Sequence, residues 1–275
     1  MKRILLTIGA IILLCTSAYG WGRKEHAAVA KIAENHLTPK AKEHLYKYMH
    51  RRSIVYYSCY ADDYQPLYID LGWEPSNYRR MAMFPHTYCV DENCKPPRSN
   101  RDGDKYIKNC LYYIDTWAKE LKENHAKMND SVRLTHLALI VHAVGDMHCP
   151  VHIRLHNDTS LGVYKVKYGN KQTNFHRLWD AGLVGATNPW SYSDLAQILD
   201  TSSEAEIAEI CKGDVFDWGE DAARIATPLR NYKPDEVINK PEFMRKHLPT
   251  GELLIRKAGY RLAKVLNDIF EQSEL

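Results

Sequence analysis

The stretch His136-Leu-Ala-Leu-Ile-Val-His142-Ala-Val-Gly-Asp146-Met-His148-Cys-Pro-Val-His152 sets four imidazoles and one carboxylate into an otherwise apolar run. Imidazole and carboxylate side by side in apolar surroundings form a metal-ligand set. Without thiolates, they suit zinc held for catalysis better than a closed structural cysteine site. His142 and Asp146 are four residues apart, one turn on the same helix face, so both can reach one ion. Pro150 breaks the helix by its missing N–H and ring clash, which frees His152 to serve a second ion. Asn174-Phe-His176-Arg-Leu-Trp-Asp180 repeats the His-x3-Asp spacing. A chain with 13 His and 34 Asp and Glu produces such a pair by chance, so the case rests on context.

Helical elements must position these groups. Apolar residues at helical spacing predict a helix over 23–37, with His26 in its first turn. Thr38-Pro39 is a cap and first-turn proline opening a second helix to about His50. His36, His44 and His50 read there as solvated helix-face residues. Residues 53–65 suit a third helix ending in Asp62 and Asp63. Ile107, Leu111, Ile114, Trp117 and Leu121 form one core stripe on a helix over 104–124. The 131–148 helix is apolar almost all round, which places it in the middle of a bundle, where a buried metal site belongs. Residues 163–173 alternate and turn at Gly169-Asn170 as a small hairpin. Helices over 193–200, 202–211, 214–230, 241–247 and 250–272 finish the chain. No repeat or linker interrupts it, so the expectation is an all-α helical bundle with one small β-hairpin, a single domain over 21–275.

Composition narrows the setting. A hydrophobic fraction of 45% in 275 residues can fill a core. The first twenty residues read as a secretory signal of bacterial character: Lys2-Arg3, an apolar run from Ile4 to Leu14 too short to span a bilayer, and Ala18-Tyr19-Gly20 as a cleavage site. Trp21 would then be the mature N-terminus, in a secreted or periplasmic protein. Removing Lys2 and Arg3 takes the formal net charge from +3 to +1, so no global field announces a membrane or a polyanion. Lys95, Arg98 and Arg101, with Arg79 and Arg80 upstream, read as solvated loop residues before phosphate contacts. Export exposes Cys59, Cys89, Cys94, Cys110, Cys149 and Cys211 to oxidation, and the short loop between Cys89 and Cys94 makes them the favoured pair. The full set of candidate ligands is Trp21, His26, Asp62, His86, His142, Asp146, His152, His176 and Asp180, too many for one ion.

Those residues carry a resemblance. Trp21-Gly-x3-His26, Ala61-Asp62, His142-x2-Gly145-Asp146-x-His148-x-Pro150-x-His152 and Thr173-Asn174-x-His176-x2-Trp179-Asp180 occur in order and resemble the S1/P1 nuclease family. The resemblance implies a mostly α-helical secreted monomer with three zinc ions and no stable membrane association. Its implied activity is hydrolysis of single-stranded DNA and RNA to 5′-phosphate products, with removal of 3′-phosphates from nucleotides. Carried over by position, Asp62, His86, His142 and Asp146 hold one zinc. The Trp21 amine and carbonyl, His26 and a shared Asp146 hold its neighbour, and His152, His176 and Asp180 hold the third. Asp62 and Asp146 are the implied catalytic carboxylates, acting through water at the metal, and Cys89 and Cys94 fall where the family has a short-loop disulfide. His148 and Asp63 read either as partners that orient ligands or as buried structural groups.

The departures concern substrate. Tyr60 replaces the tryptophan usual before Ala-Asp, Gln65 replaces a basic residue, and Thr87 with Tyr88 replaces the aromatic that follows the His86 ligand. Ser160-Leu161-Gly162 replaces Gly-Gly-Asn, and Cys149 stands where glutamine is usual. Gln65, Thr87, Tyr88 and Gly162 are therefore the candidate substrate contacts. Two alternatives stay open. A zinc phospholipase C shares the implied fold but uses glutamate where this chain has Asp180. A non-catalytic zinc-binding protein could have kept the ligands and lost the substrate contacts.

Overall fold

The computed structural model describes residues 21–63, 86–98, 109–155, 164–180, 183–187 and 189–272. Expectations placed on residues 1–20, on Gln65, Arg79, Arg80, Arg101, Ile107 and Gly162, and on the side chain of Asp180 lie outside the described residues. Helices dominate: α1 (Arg23–Asn35), α2 (Pro39–Tyr48), α3 (Cys110–Asn124), α4 (Asp130–Asp146), α5 (Phe175–Asp180), α6 (Val184–Thr187), α7 (Tyr192–Leu199), α8 (Glu204–Ile210), α9 (Val215–Ala226) and α10 (Lys240–Phe270).

The centre is α4, as its all-round apolar sequence predicts. Asn129 caps it by accepting the Ser131 N–H at 2.9 Å, and every residue from Leu137 to Asp146 is buried. A helix without a polar face can only be covered on all sides, and α1, α2, α3, α10 and the 3-10 turn Ile54–Tyr57 pack around it. The helices α1 and α10 pack against each other. There a Cβ on Gly259 would stand 2.5 Å from Cγ2 of Ile32, so the absent side chain sets the approach.

Three expectations need correction. Residues 241–247 and 250–272 form one helix rather than two. Pro249 is exposed, while Phe243 and His247 before it and Gly251, Leu254 and Ile255 after it are buried, so core contacts on both sides hold the helix through the lost hydrogen bond. His44 is not solvated: only 6% exposed, its ring stacks on Phe270 at 4.9 Å. Residues 53–65 open as the 3-10 turn Ile54–Tyr57, whose start Ser53 caps by accepting the Val55 N–H, and regular helix begins only at Tyr60. The favoured cysteine pair, Cys89 and Cys94, is buried at both positions. Cys94 lies at φ +67° in the turn after Asp91, and its sulfur faces Thr227 Oγ1 at 3.5 Å and Arg230 at 3.7 Å.

The small strands also go beyond the hairpin. β1 (Tyr88–Val90) pairs in parallel with β2 (Ile153–Leu155), tying the chain after His86 to the chain after His152. The hairpin β3 (Lys165–Tyr168) and β4 (Lys171–Asn174), turning at Gly169 with φ +59°, gains a third strand, β5 (Val237–Ile238), parallel to β3. Among the described residues no helix is long and apolar enough to cross a membrane.

Candidate metal centre

The last turn of α4 delivers His142 and Asp146 to one buried spot, and neither side chain is exposed. Nδ1 of His142 donates to the Ser58 carbonyl at 2.9 Å. That bond fixes the tautomer and leaves Nε2 facing inward. Nε2 then stands 2.9 Å from Oδ2 of Asp146, 3.4 Å from Nδ1 of His86 and 3.9 Å from Oδ1 of Asp62. His86, just before β1, closes the same side, with Nδ1 2.6 Å from Oδ2 of Asp146.

The other carboxylate oxygen serves a different pair. Oδ1 of Asp146 lies 3.4 Å from Nε2 of His26 and 3.3 Å from Nδ1 of His152. His26 enters from the first turn of α1, its ring stacked on His142 at 4.5 Å. Gly145 makes that possible, since a Cβ there would meet His26 Nδ1 at 2.6 Å. His152 follows the Pro150 break, and its ring centroid is 5.3 Å from His176 on α5. Two triads, His26–His142–Asp146 and Asp62–His86–His142, each have ligand atoms within 4.8 Å of one another.

Trp21 and Asp180 are the remaining members of the sequence-derived set. Trp21 is buried, edge-on to Trp179 at 6.4 Å, which brings it beside the helix that carries His176. Asp180 ends that helix. Among the candidate substrate contacts, Thr87 is half-buried beside His86. Tyr88 is a correction: it is fully buried, and its hydroxyl donates to the Gly219 carbonyl at 2.8 Å, so it belongs to the core.

The donor set fits a cation. Asp146 Oδ1, both His26 nitrogens and His152 Nδ1 are buried without a hydrogen-bond partner among the described residues. Buried polar atoms are seldom left so, and here they converge. Electrostatics agree. Burial raises the Asp146 pKa, but His142, His152 and His86 outweigh it and hold the carboxyl well below its ordinary range. Burial alone would lower His142; Asp146 and Asp62 overcome it and raise the ring to about 9. Burial lowers His152 to about 4 and also lowers His26. His26 and His152 are thus held toward the neutral form beside an ionised Asp146, and a cation would compete with the proton on His142.

His148 turns away from the cluster. Nδ1 donates to the Val144 carbonyl at 2.8 Å and Nε2 accepts from Arg261 at 3.0 Å. Ser58 and Arg261 were not singled out from sequence, and Gly145 entered only as part of the motif around His142. Only Gly145 carries a signal there, a glycine inside a helix one residue from a ligand.

Comparison with known proteins covers nearly all of the described chain. Residues 21–271 match the S1/P1 Nuclease family. Nuclease S1 of Aspergillus oryzae is 26% identical, with 99% of each chain covered. Endonuclease 4 of Arabidopsis thaliana is 20% identical over 94% of this chain and 91% of its own, and Nuclease P1 of Penicillium citrinum is 24% identical over 90% and 97%. With almost the whole described chain matched and the histidine–carboxylate cluster at its centre, the chain belongs to the S1/P1 nuclease family.

Proposed function

We propose that the protein is a secreted or periplasmic zinc nuclease that hydrolyses phosphodiester bonds of single-stranded DNA and RNA to 5′-phosphate products and removes 3′-phosphates from nucleotides. The observation that carries this reading is the convergence of four imidazoles on the two oxygens of the buried Asp146 in a chain of a nuclease family. Three zinc ions are proposed. Asp62, His86, His142 and Asp146 would hold one; His26, Asp146 and the amine and carbonyl of Trp21, freed by removal of residues 1–20, a second; His152, His176 and Asp180 the third. Zinc bound there would supply Lewis acidity toward a phosphoryl oxygen and lower the pKa of water toward neutrality.

The chain's own residues do the positioning. Ser58 holds the His142 ring so that Nε2 faces Asp146 and Asp62. Asp62 and Asp146, both buried, are the carboxylates that would orient the attacking water, and Asp62 would accept its proton. His86, whose side chain is 22% exposed, is the open edge through which a phosphodiester reaches the centre. Thr87 beside it, with Gln65 and Gly162, would contact the nucleotide. The working unit is residues 21–275 as one monomeric domain, with no stable membrane association.

Zinc analysis paired with a panel of single-stranded DNA, RNA, a 3′-nucleotide and phosphatidylcholine tests the reading. Turnover of the nucleic acids and the nucleotide, abolished by chelation, is the expected result. Bound zinc without turnover of any of them overturns the nuclease reading, and cleavage of phosphatidylcholine alone replaces it. One extra residue before Trp21 should weaken one of the bound zinc ions; an unchanged zinc affinity removes Trp21 from the ligands.

A further inference from the structure

Arg261 lies on α10, 113 residues along the chain from His148, yet its side chain reaches the turn that joins two sets of candidate ligands. It is 3% exposed, and each of its donor groups is used. Nη1 donates to His148 Nε2 at 3.0 Å, Nη2 to Asp221 Oδ2 at 2.6 Å and Nε to the Ile210 carbonyl at 3.0 Å. Lys257, one turn earlier on α10, donates to the same Asp221 oxygen at 2.7 Å.

A guanidinium cannot give up its proton, so His148 Nε2 must present a lone pair to Arg261, and the ring is the neutral tautomer whose Nδ1–H donates to Val144. Both nitrogens are then occupied, which explains why a histidine two residues from Asp146 takes no place in the cluster. The ring spans the end of α4 and the distant α10. Asp146 sits within a regular helix and has that helix to hold it. His152 does not. Its position depends on the turn Met147–Val151, held by the bonds His148 N–H to Gly145, Cys149 N–H to Asp146 and His152 N–H to Cys149.

We infer that Arg261 is a positioning residue for the metal centre: through His148 it fixes the turn that places His152 relative to Asp146. Asp221, Ile210 and Lys257 in turn fix Arg261. The inference rests on the zinc reading proposed above, and zinc affinity itself can test it. Zinc would be titrated against a chromophoric chelator in wild-type protein and in Arg261→Met, which keeps the apolar stem and loses the donors. The temperature is one at which both are fully folded by circular dichroism. Loss of a partner that orients a metal ligand weakens binding by about 10- to 100-fold. We expect at least one zinc equivalent to weaken tenfold or more, with kcat reduced and KM for a 3′-nucleotide unchanged. A residue that only stabilises the fold would lower the melting temperature and leave zinc affinity alone.

Should Arg261→Met fail to fold, His148→Asn decides by the same tenfold criterion. Its amide can still donate to Val144 but falls short of Arg261, which keeps Asp221 and Ile210. A folded variant whose zinc equivalents all stay within tenfold of wild type overturns the inference. Wild-type protein that binds no zinc refutes instead the metal reading on which it stands.

Discussion

Two groups of histidines, all buried except the half-buried His86, sit near the two ends of α4. At the C-terminal end, His26, His86, His142 and His152 surround Asp146. Near the N-terminal end, in whose first turn Arg133 lies, His44 and His125 meet edge to face at 5.2 Å. His125 bonds the Tyr48 hydroxyl at 3.1 Å, His44 stacks on Phe270, and the Arg133 guanidinium lies 3.9 Å over the Tyr48 ring while donating to the His125 carbonyl. The residue type is the same and the burial similar. The difference is the carboxylate. Around Asp146 the imidazole nitrogens converge on an anion, and those of His26 and His152 stay without a hydrogen-bond partner among the described residues, which is what a cation needs; around Phe270 the rings are spent on aromatic faces and a hydroxyl. Burying a histidine therefore marks no site unless something of opposite charge is buried with it and the ligand atoms are left over.

The largest test of that contrast is Asp146→Asn. It keeps shape and removes the charge that both sides of the cluster share. Zinc binding and phosphodiesterase turnover should both fall by more than about 100-fold, the upper end of what loss of an outer partner costs. A variant retaining wild-type zinc content would sink the central role of this carboxylate. Gly145→Ala comes next. Its Cβ would overlap His26 Nδ1, and the added atom is fixed to the helix, so the ring must move. Overpacking of this kind costs about 1–3 kcal/mol. The stability loss should be accompanied by weakened zinc binding, whereas a loss of stability with zinc untouched would mean that His26 is not a ligand.

How much of this was legible depends on whether the cause lies nearby in the chain. The placement of α4 was readable because all-round apolarity is a property of its own residues, and the one-turn spacing of His142 and Asp146 follows from helix geometry alone. His44 was not readable. Its surroundings are Phe270, at the far end of α10, and His125, so nothing within its own helix announces burial. Pro249 misled for the same reason, since the contacts that carry α10 through it are tertiary. Tyr88 illustrates a third case. It follows Thr87 in a segment where substrate contacts are expected, but all three residues of β1 are buried, and what holds this one in the core is the Gly219 carbonyl, 131 residues along the chain. Arg261 lay in the region of the sequence that read as unremarkable helix.

The histidines near Phe270 supply the two smaller tests. His44→Leu should cost about 1 kcal/mol of stability, typical of a buried substitution that changes few contacts. It should leave zinc content and turnover at wild-type values; a drop in zinc would mean the two groups are not separate.

The smallest effect concerns acid. Burial first, then His44 and Arg133, hold the His125 pKa below its ordinary value. Its folded pKa is thus lower than its unfolded one, near 6.5, and between them the unfolded chain binds more protons. Stability from this residue is complete above about pH 6.5 and declines as pH falls through that value toward the folded pKa. Denaturant midpoints measured from pH 7.5 down to 5 with zinc in excess should decline less steeply in His125→Gln than in wild type. The variant has no titrating ring and can still accept from Tyr48. Equal slopes would show that the neutral imidazole at this end of α4 adds nothing to acid sensitivity, and would leave the decline to the metal centre, where protons and zinc compete for the same nitrogens.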